Sequence, residues 1–134
     1  MSSQPMRSSF ESLKELVLNV ADLRLQDWPI PRGEWGVTVQ GNPLYQGQLL
    51  YLSPDKKTAV GIERLGPSIL RGTHVGETLY FLEGRITARP PGRQPYGIKA
   101  GDICHFPEGI DDVWEIHETY TKIFHIHYEP GLPF

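Results

Sequence analysis

Two periods of hydrophobic spacing divide this chain. Near its start, Phe10, Leu13, Leu16 and Val17 fall on one helical face behind Ser8-Ser9-Phe10-Glu11, whose Ser-x-x-Glu spacing is that of a capping box, so a short helix is predicted there. Beyond Trp28-Pro29-Ile30-Pro31-Arg32-Gly33 the helical period is gone, and short apolar runs alternate with turn residues. Strands are predicted over 48–52, 58–65, 77–88, 96–99, 103–106, 113–116 and 122–128. Their punctuation is Ser53-Pro54-Asp55-Lys56-Lys57, Gly66-Pro67 and Arg89-Pro90-Pro91-Gly92. Regular short strands with no helix between them predict an all-β barrel or sandwich. The expected organisation is an N-terminal helix and extension over residues 1–30 and a single barrel domain over 31–134.

Composition narrows the partners more than the fold. A chain of 134 residues is long enough to bury a core without disulfides or structural metal. Thirteen basic residues against sixteen acidic, with no basic block, leave no electrostatic footprint for nucleic acid. No run approaches the roughly 20 apolar residues of a membrane span, and residues 1–20 lack the apolar core and cleavage site of an export signal. The single cysteine, Cys104, has no partner for an internal disulfide and is read as a small apolar residue. A cytoplasmic location is the expectation.

Two segments carry a more specific pattern. Glu77-Thr-Leu-Tyr-Phe-Leu-Glu-Gly84 is a strand running into a glycine, and Gly101-Asp-Ile-Cys-His-Phe-Pro107-Glu-Gly109 is a turn, a strand and a second turn. Sixteen residues separate them. Together they resemble the cupin superfamily, whose first motif ends in Glu-x6-Gly and whose second reads Gly-x5-Pro-x-Gly-x2-His-x3-Asn. The continuation Asp112-Val-Trp114-Glu115-Ile116 is similar to the subfamily shared by (S)-ureidoglycine aminohydrolases and ethanolamine-utilisation cupins. The resemblance spans about half the chain, residues 61–128. It implies a double-stranded β-helix, a jelly-roll-like barrel, with a small polar ligand held inside. It implies either a metal-dependent lyase, isomerase or aminohydrolase, or a metal-free binding or accessory module acting as a homodimer.

The family's His-x-His falls here on Leu70 and Gly72 or on Arg71 and Thr73, its second histidine on Asp112 and its asparagine on Ile116. Glu77 alone is retained in register. The resemblance therefore places Glu77 and Asp112 across one cavity, as metal ligands or as an acid and base pair. His74 and His125 would complete a site for one divalent ion, Mn, Fe, Ni or Zn, if one is held. Period-two alternation puts Glu77, Leu79 and Phe81 on one face of their strand and Thr78, Tyr80 and Leu82 on the other, and it puts His125 and His127 on a shared face. Tyr80 and Leu82 are expected to need a cover, which a second subunit could supply. Arg64, Arg71, Tyr80, His105 and Trp114 are the candidates for contact with a substrate. An inward arginine would clamp a carboxylate, and Trp114 shares the Asp112 face.

Overall fold

The computed structural model describes residues 15–28 and 36–134. Its elements are a 3-10 turn at Val20–Asp22 and nine strands: β1 (Gln26–Asp27), β2 (Val37–Gln40), β3 (Tyr45–Leu52), β4 (Thr58–Leu65), β5 (Ser68–Thr73), β6 (Gly76–Ala88), β7 (Tyr96–Lys99), β8 (Ile103–Phe106) and β9 (Asp111–His127). The strands form one sheet, paired throughout antiparallel and curled on itself. Most of the capping-box helix lies outside the described residues. Leu16 and Val17, its last apolar positions, are exposed and not helical, so within the described residues the predicted helix is absent.

Strand β9 organises the fold. One of its edges pairs first with β5, from Asp111↔Thr73 to Ile116↔Ser68, and then with β4, from Tyr120↔Leu65 to His127↔Thr58. Its other edge pairs with β6 along nearly the whole length. Strand β6 in turn carries β8 opposite its first half and β7 opposite its second. Alternation then sorts the side chains. Apart from the exposed Glu118, the even positions of β9 point inward, with Asp112, Trp114, Ile116, Tyr120, Lys122, Phe124 and Ile126 all buried. From β6 the inward set is Glu77, Leu79 and Phe81, then Ile86 and Ala88 beyond a register shift near Gly84. Phe81, Trp114 and Tyr120 meet edge to face or tilted, with centroids 5.6–6.1 Å apart. Such pairs add to the burial of their area.

Close approaches explain two of the glycines. A Cβ on Gly61 in β4 would sit 2.5 Å from the Phe124 ring, and one on Gly47 in β3 would sit 2.5 Å from the Trp28 ring. Trp28 follows β1, which pairs with β3, and its ring also meets Tyr45 and Phe134. The N-terminal extension thus contributes an edge strand and a lid-like aromatic to the barrel. Among the described residues no helix is long and apolar enough to cross a membrane.

Candidate functional site

The inward side chains leave a cavity of about 110 Å³. On one wall His74, Glu77, Asp112 and Trp114 meet, and on another Glu63, Tyr120 and Lys122. Phe124, Ile126, Leu70, Val75 and the rings of Trp28 and Phe134 make up most of the apolar lining.

His74 lies in the link between β5 and β6, fixed by two backbone bonds: its N–H donates to the Ile110 carbonyl, and its carbonyl accepts from Gly109 N–H. This tie to the Pro107–Ile110 turn sets the imidazole between two buried carboxylates. Nε2 lies 3.0 Å from Asp112 Oδ2, and Nδ1 lies 3.2 Å from Glu77 Oε2. Phe106 stacks flat on the ring, 4.1 Å between centroids and 7° between planes. Asp112 is further held by Trp114, whose indole N–H donates to Oδ2 at 3.0 Å, and by the Val113 N–H, which donates to Oδ1 at 2.9 Å. Burial pulls the His74 pKa down, but hydrogen bonds and charge from Asp112 and Glu77 more than reverse this, and it ends above the ordinary histidine value. An imidazolium satisfies both neighbours, because both ring nitrogens then carry a proton to donate.

Facing this wall, Lys122 Nζ lies 3.3 Å from Glu63 Oε1, which also accepts from the Tyr120 hydroxyl at 2.5 Å. The ammonium sits over the Trp114 and Tyr120 rings, 5.0 and 5.2 Å from their centroids. Cation–π attraction of this kind strengthens where water is excluded.

The sequence brought Glu77, Asp112, His74 and Trp114 to one place, and the structure puts all four in the cavity wall. Of the other candidates it brings only Arg71 to the cavity lining. His125 is on an odd position of β9 and is exposed on the outer face, so it is not beside Glu77. His105 is also outside, 2.9 Å from the Thr78 hydroxyl, and Tyr80 is 40% exposed on the same outer side of β6. Arg64 faces outward from β4, where its Nε donates to Thr121 Oγ1 and lies 3.5 Å from Glu83. Arg71 borders the cavity from an exposed position of β5, between Leu70 and Gly72. Cys104 is half-buried, and burial pushes its thiol up, away from nucleophilic behaviour. Glu63, Tyr120 and Lys122 were not singled out from the sequence, although the even-numbered parity of Asp112 and Trp114 extends to Tyr120 and Lys122.

The metal centre implied by the cupin resemblance does not fit these side chains as arranged. The two carboxylates meet opposite edges of the His74 ring instead of converging with it on one point. Among the described residues no three His, Cys, Asp or Glu side chains are grouped to hold an ion. In a metal site one imidazole nitrogen would face the ion and only the other a supporting carboxylate.

A paired Glu-x6-Gly and Gly-x5-Pro-x-Gly frame on strands β6 and β8 of a curled antiparallel sheet now stands beside a family match: the EutQ-like cupin domain covers residues 52–124. The chain belongs to the EutQ-like cupins. Among solved structures it is similar to a putative ethanolamine utilization protein Q of Salmonella typhimurium LT2, with 19% identity, 63% of this chain and 69% of that chain covered, and a TM-score of 0.53. It is also similar to the EutQ protein of Clostridium difficile, with 13% identity, 75% and 80% coverage and a TM-score of 0.56. A Pseudomonas syringae protein of the DUF861 family, described as of unknown function, aligns with a TM-score of 0.68 at 15% identity, over 78% of this chain and 45% of that one. At these identities the likeness is one of fold. No curated protein matches the chain.

Trp114→Phe keeps the ring packing of this cupin but leaves Asp112 Oδ2 without the indole donor. The expected cost is about 1–3 kcal/mol, the usual penalty for stripping a partner from a buried charged acceptor. Urea unfolding of both proteins at neutral pH measures it, and an unchanged midpoint would show that the indole bond carries no weight.

Proposed function

We propose that the barrel cavity binds a small polar molecule that donates a hydrogen bond to Glu77, and that it does so without a metal ion. One observation carries the reading. Glu77 is buried, yet its Oε1 has no hydrogen-bond donor among the described residues; Oε2 alone faces His74. A buried carboxylate oxygen without a donor is costly, and a ligand N–H or O–H relieves that cost. The enclosing rings of Trp114, Tyr120 and Trp28 favour a ligand that is compact and partly apolar or cationic. Size limits it further: an apolar cavity of about 150 Å³ takes a benzene molecule, so the present space suits roughly half a dozen heavy atoms.

Titration with 1-amino-2-propanol, followed by NMR of the Trp114 indole N–H, tests the proposal. A saturable shift is expected, with affinity about tenfold weaker in Glu77→Gln, the size of one lost charge-assisted hydrogen bond. The fold of that variant should persist, since Gln keeps the volume. No shift with any small amine or alcohol, or equal affinity in the variant, would overturn it.

A second reading, an enzyme of the lyase, isomerase or aminohydrolase kind, draws support from His74. An imidazolium held between two carboxylates can pass a proton to Glu77, whose free Oε1 edge would carry it to a bound molecule and back. Turnover of a ligand found by the titration, abolished in His74→Gln with binding retained, would favour this reading over a passive module.

A further inference from the structure

The cavity has two unlike ends, and the second defines the ligand further. Lys122 is buried, with its side chain only 10% exposed, and its ammonium has three protons to place. Glu63 Oε1 lies 3.3 Å away as its ion-pair partner, and that oxygen already accepts from the Tyr120 hydroxyl. The aromatic faces of Trp114 and Tyr120 give diffuse attraction but accept no full hydrogen bond. Among the described residues no other acceptor reaches Nζ. Across the same space stands the opposite deficiency, the Glu77 Oε1 that lacks a donor. Both poles are fixed on neighbouring strands: Glu77 pairs with Ile126 in β9, four residues from Lys122 on the same inward face. The pattern asks for a molecule with a donor at one end and an acceptor at the other, short enough for about 110 Å³.

We infer that the ligand is a small dipolar molecule, of the amino acid or hydroxy acid class, whose ammonium or hydroxyl meets Glu77 and whose carboxylate or carbonyl oxygen meets Lys122. This rests on the proposed function, which concerns only the Glu77 end. Lys122 acts as a binding group and not as a nucleophile, because its Nζ is paired with Glu63 and lies over the Trp114 and Tyr120 rings.

Three probes separate the two statements: β-alanine carries both groups, propylamine only the donor and propionate only the acceptor. In the unaltered protein β-alanine should bind at least about tenfold more tightly than either of the others, by calorimetry or by the Trp114 indole signal. Lys122→Met should reduce β-alanine to the affinity of propylamine while leaving propylamine itself within about twofold, and Glu77→Gln should leave propionate unaffected. Propylamine binding as tightly as β-alanine to the unaltered protein overturns this inference and leaves the proposed function standing. No binding by any probe at about 10 mM, the weak end of specific recognition, overturns both. The comparison of probes on the unaltered protein decides the matter even if Lys122→Met does not fold.

Discussion

His74→Ala is expected to destabilise the folded protein by about 3–5 kcal/mol near pH 6, the usual cost of removing one member of a buried charged group. The variant leaves Glu77 and Asp112, both more than nine-tenths buried, without the cation that stands between them. Asp112 keeps the Trp114 and Val113 donors, whereas Glu77 loses its only side-chain partner among the described residues. The deficit should vary with pH. In the native protein the His74 pKa is raised, so its stabilisation is complete below the unfolded value of about 6.5 and is lost as pH rises through the folded value. Urea unfolding of both proteins should therefore show a larger difference at mildly acid pH than at alkaline pH. A difference below about 1 kcal/mol, or one independent of pH, would mean that His74 is not the counter-charge of the pair.

Gly84→Ala is expected to cost about 3 kcal/mol or more, enough to leave much of a marginally stable domain unfolded. Gly84 has φ +105°, and a Cβ there would lie 2.5 Å from the Tyr120 Cα and 2.8 Å from the Thr119 carbonyl oxygen. Those are backbone atoms on the paired strand, and they cannot move aside without parting β6 from β9. Gly101→Ala and Gly109→Ala are the controls. They share the positive φ, +92° and +95°, but have nothing within 4 Å of the added carbon. Conformational strain alone, about 1–2 kcal/mol, is expected for each. Thermal unfolding of the three variants separates contact from strain, and three equal losses would show that the approach to Tyr120 costs nothing. The Tyr120 indicated by this contact also binds Glu63, so Gly84→Ala should loosen the Lys122 end of the cavity as well.

The strands were legible in the sequence because alternation and Gly/Pro punctuation are local signals. Runs 58–65, 96–99 and 103–106 coincide with β4, β7 and β8. The face of Glu77, Leu79 and Phe81 followed from parity alone and is the inward one. Three strands escaped, the first of them, Gln26–Asp27, because it is two exposed residues long. Val37–Gln40 is a short edge strand with three of its four residues exposed, so no buried face marks it. Ser68–Thr73 ends in glycine and threonine, beside the Gly66-Pro67 turn signal. The misplacement of His125 came from dividing β9 in two. Read as 113–116 and 122–128, the halves have unrelated faces, and parity says only that His125 and His127 agree with each other. Read as one strand from Asp111 to His127, the inward set beginning at Asp112 assigns His125 to the outside and Lys122 to the cavity. His74 was found by nearness to the family's ligand position. Its place between the carboxylates depends on the link into β6 and on the Ile110 carbonyl, contacts that no local pattern encodes.

The long strand that sorts these faces also governs when the barrel can form. Strands β4, β5 and β6 are hydrogen-bonded to β9, and β9 is made after all of them. A nascent chain that has emerged through β8 holds the β3–β4 hairpin and the β6–β8 ladder but no strand to join them. Closure awaits pairings as distant as Thr58 with His127, and such long-range contacts slow folding because loop entropy must be overcome before they form. Until then Leu65, Phe81 and Leu79, all buried in the finished barrel, face water. The vulnerable period of this protein's life is the interval before its ninth strand is synthesised, when half-built sheet edges are open to other chains.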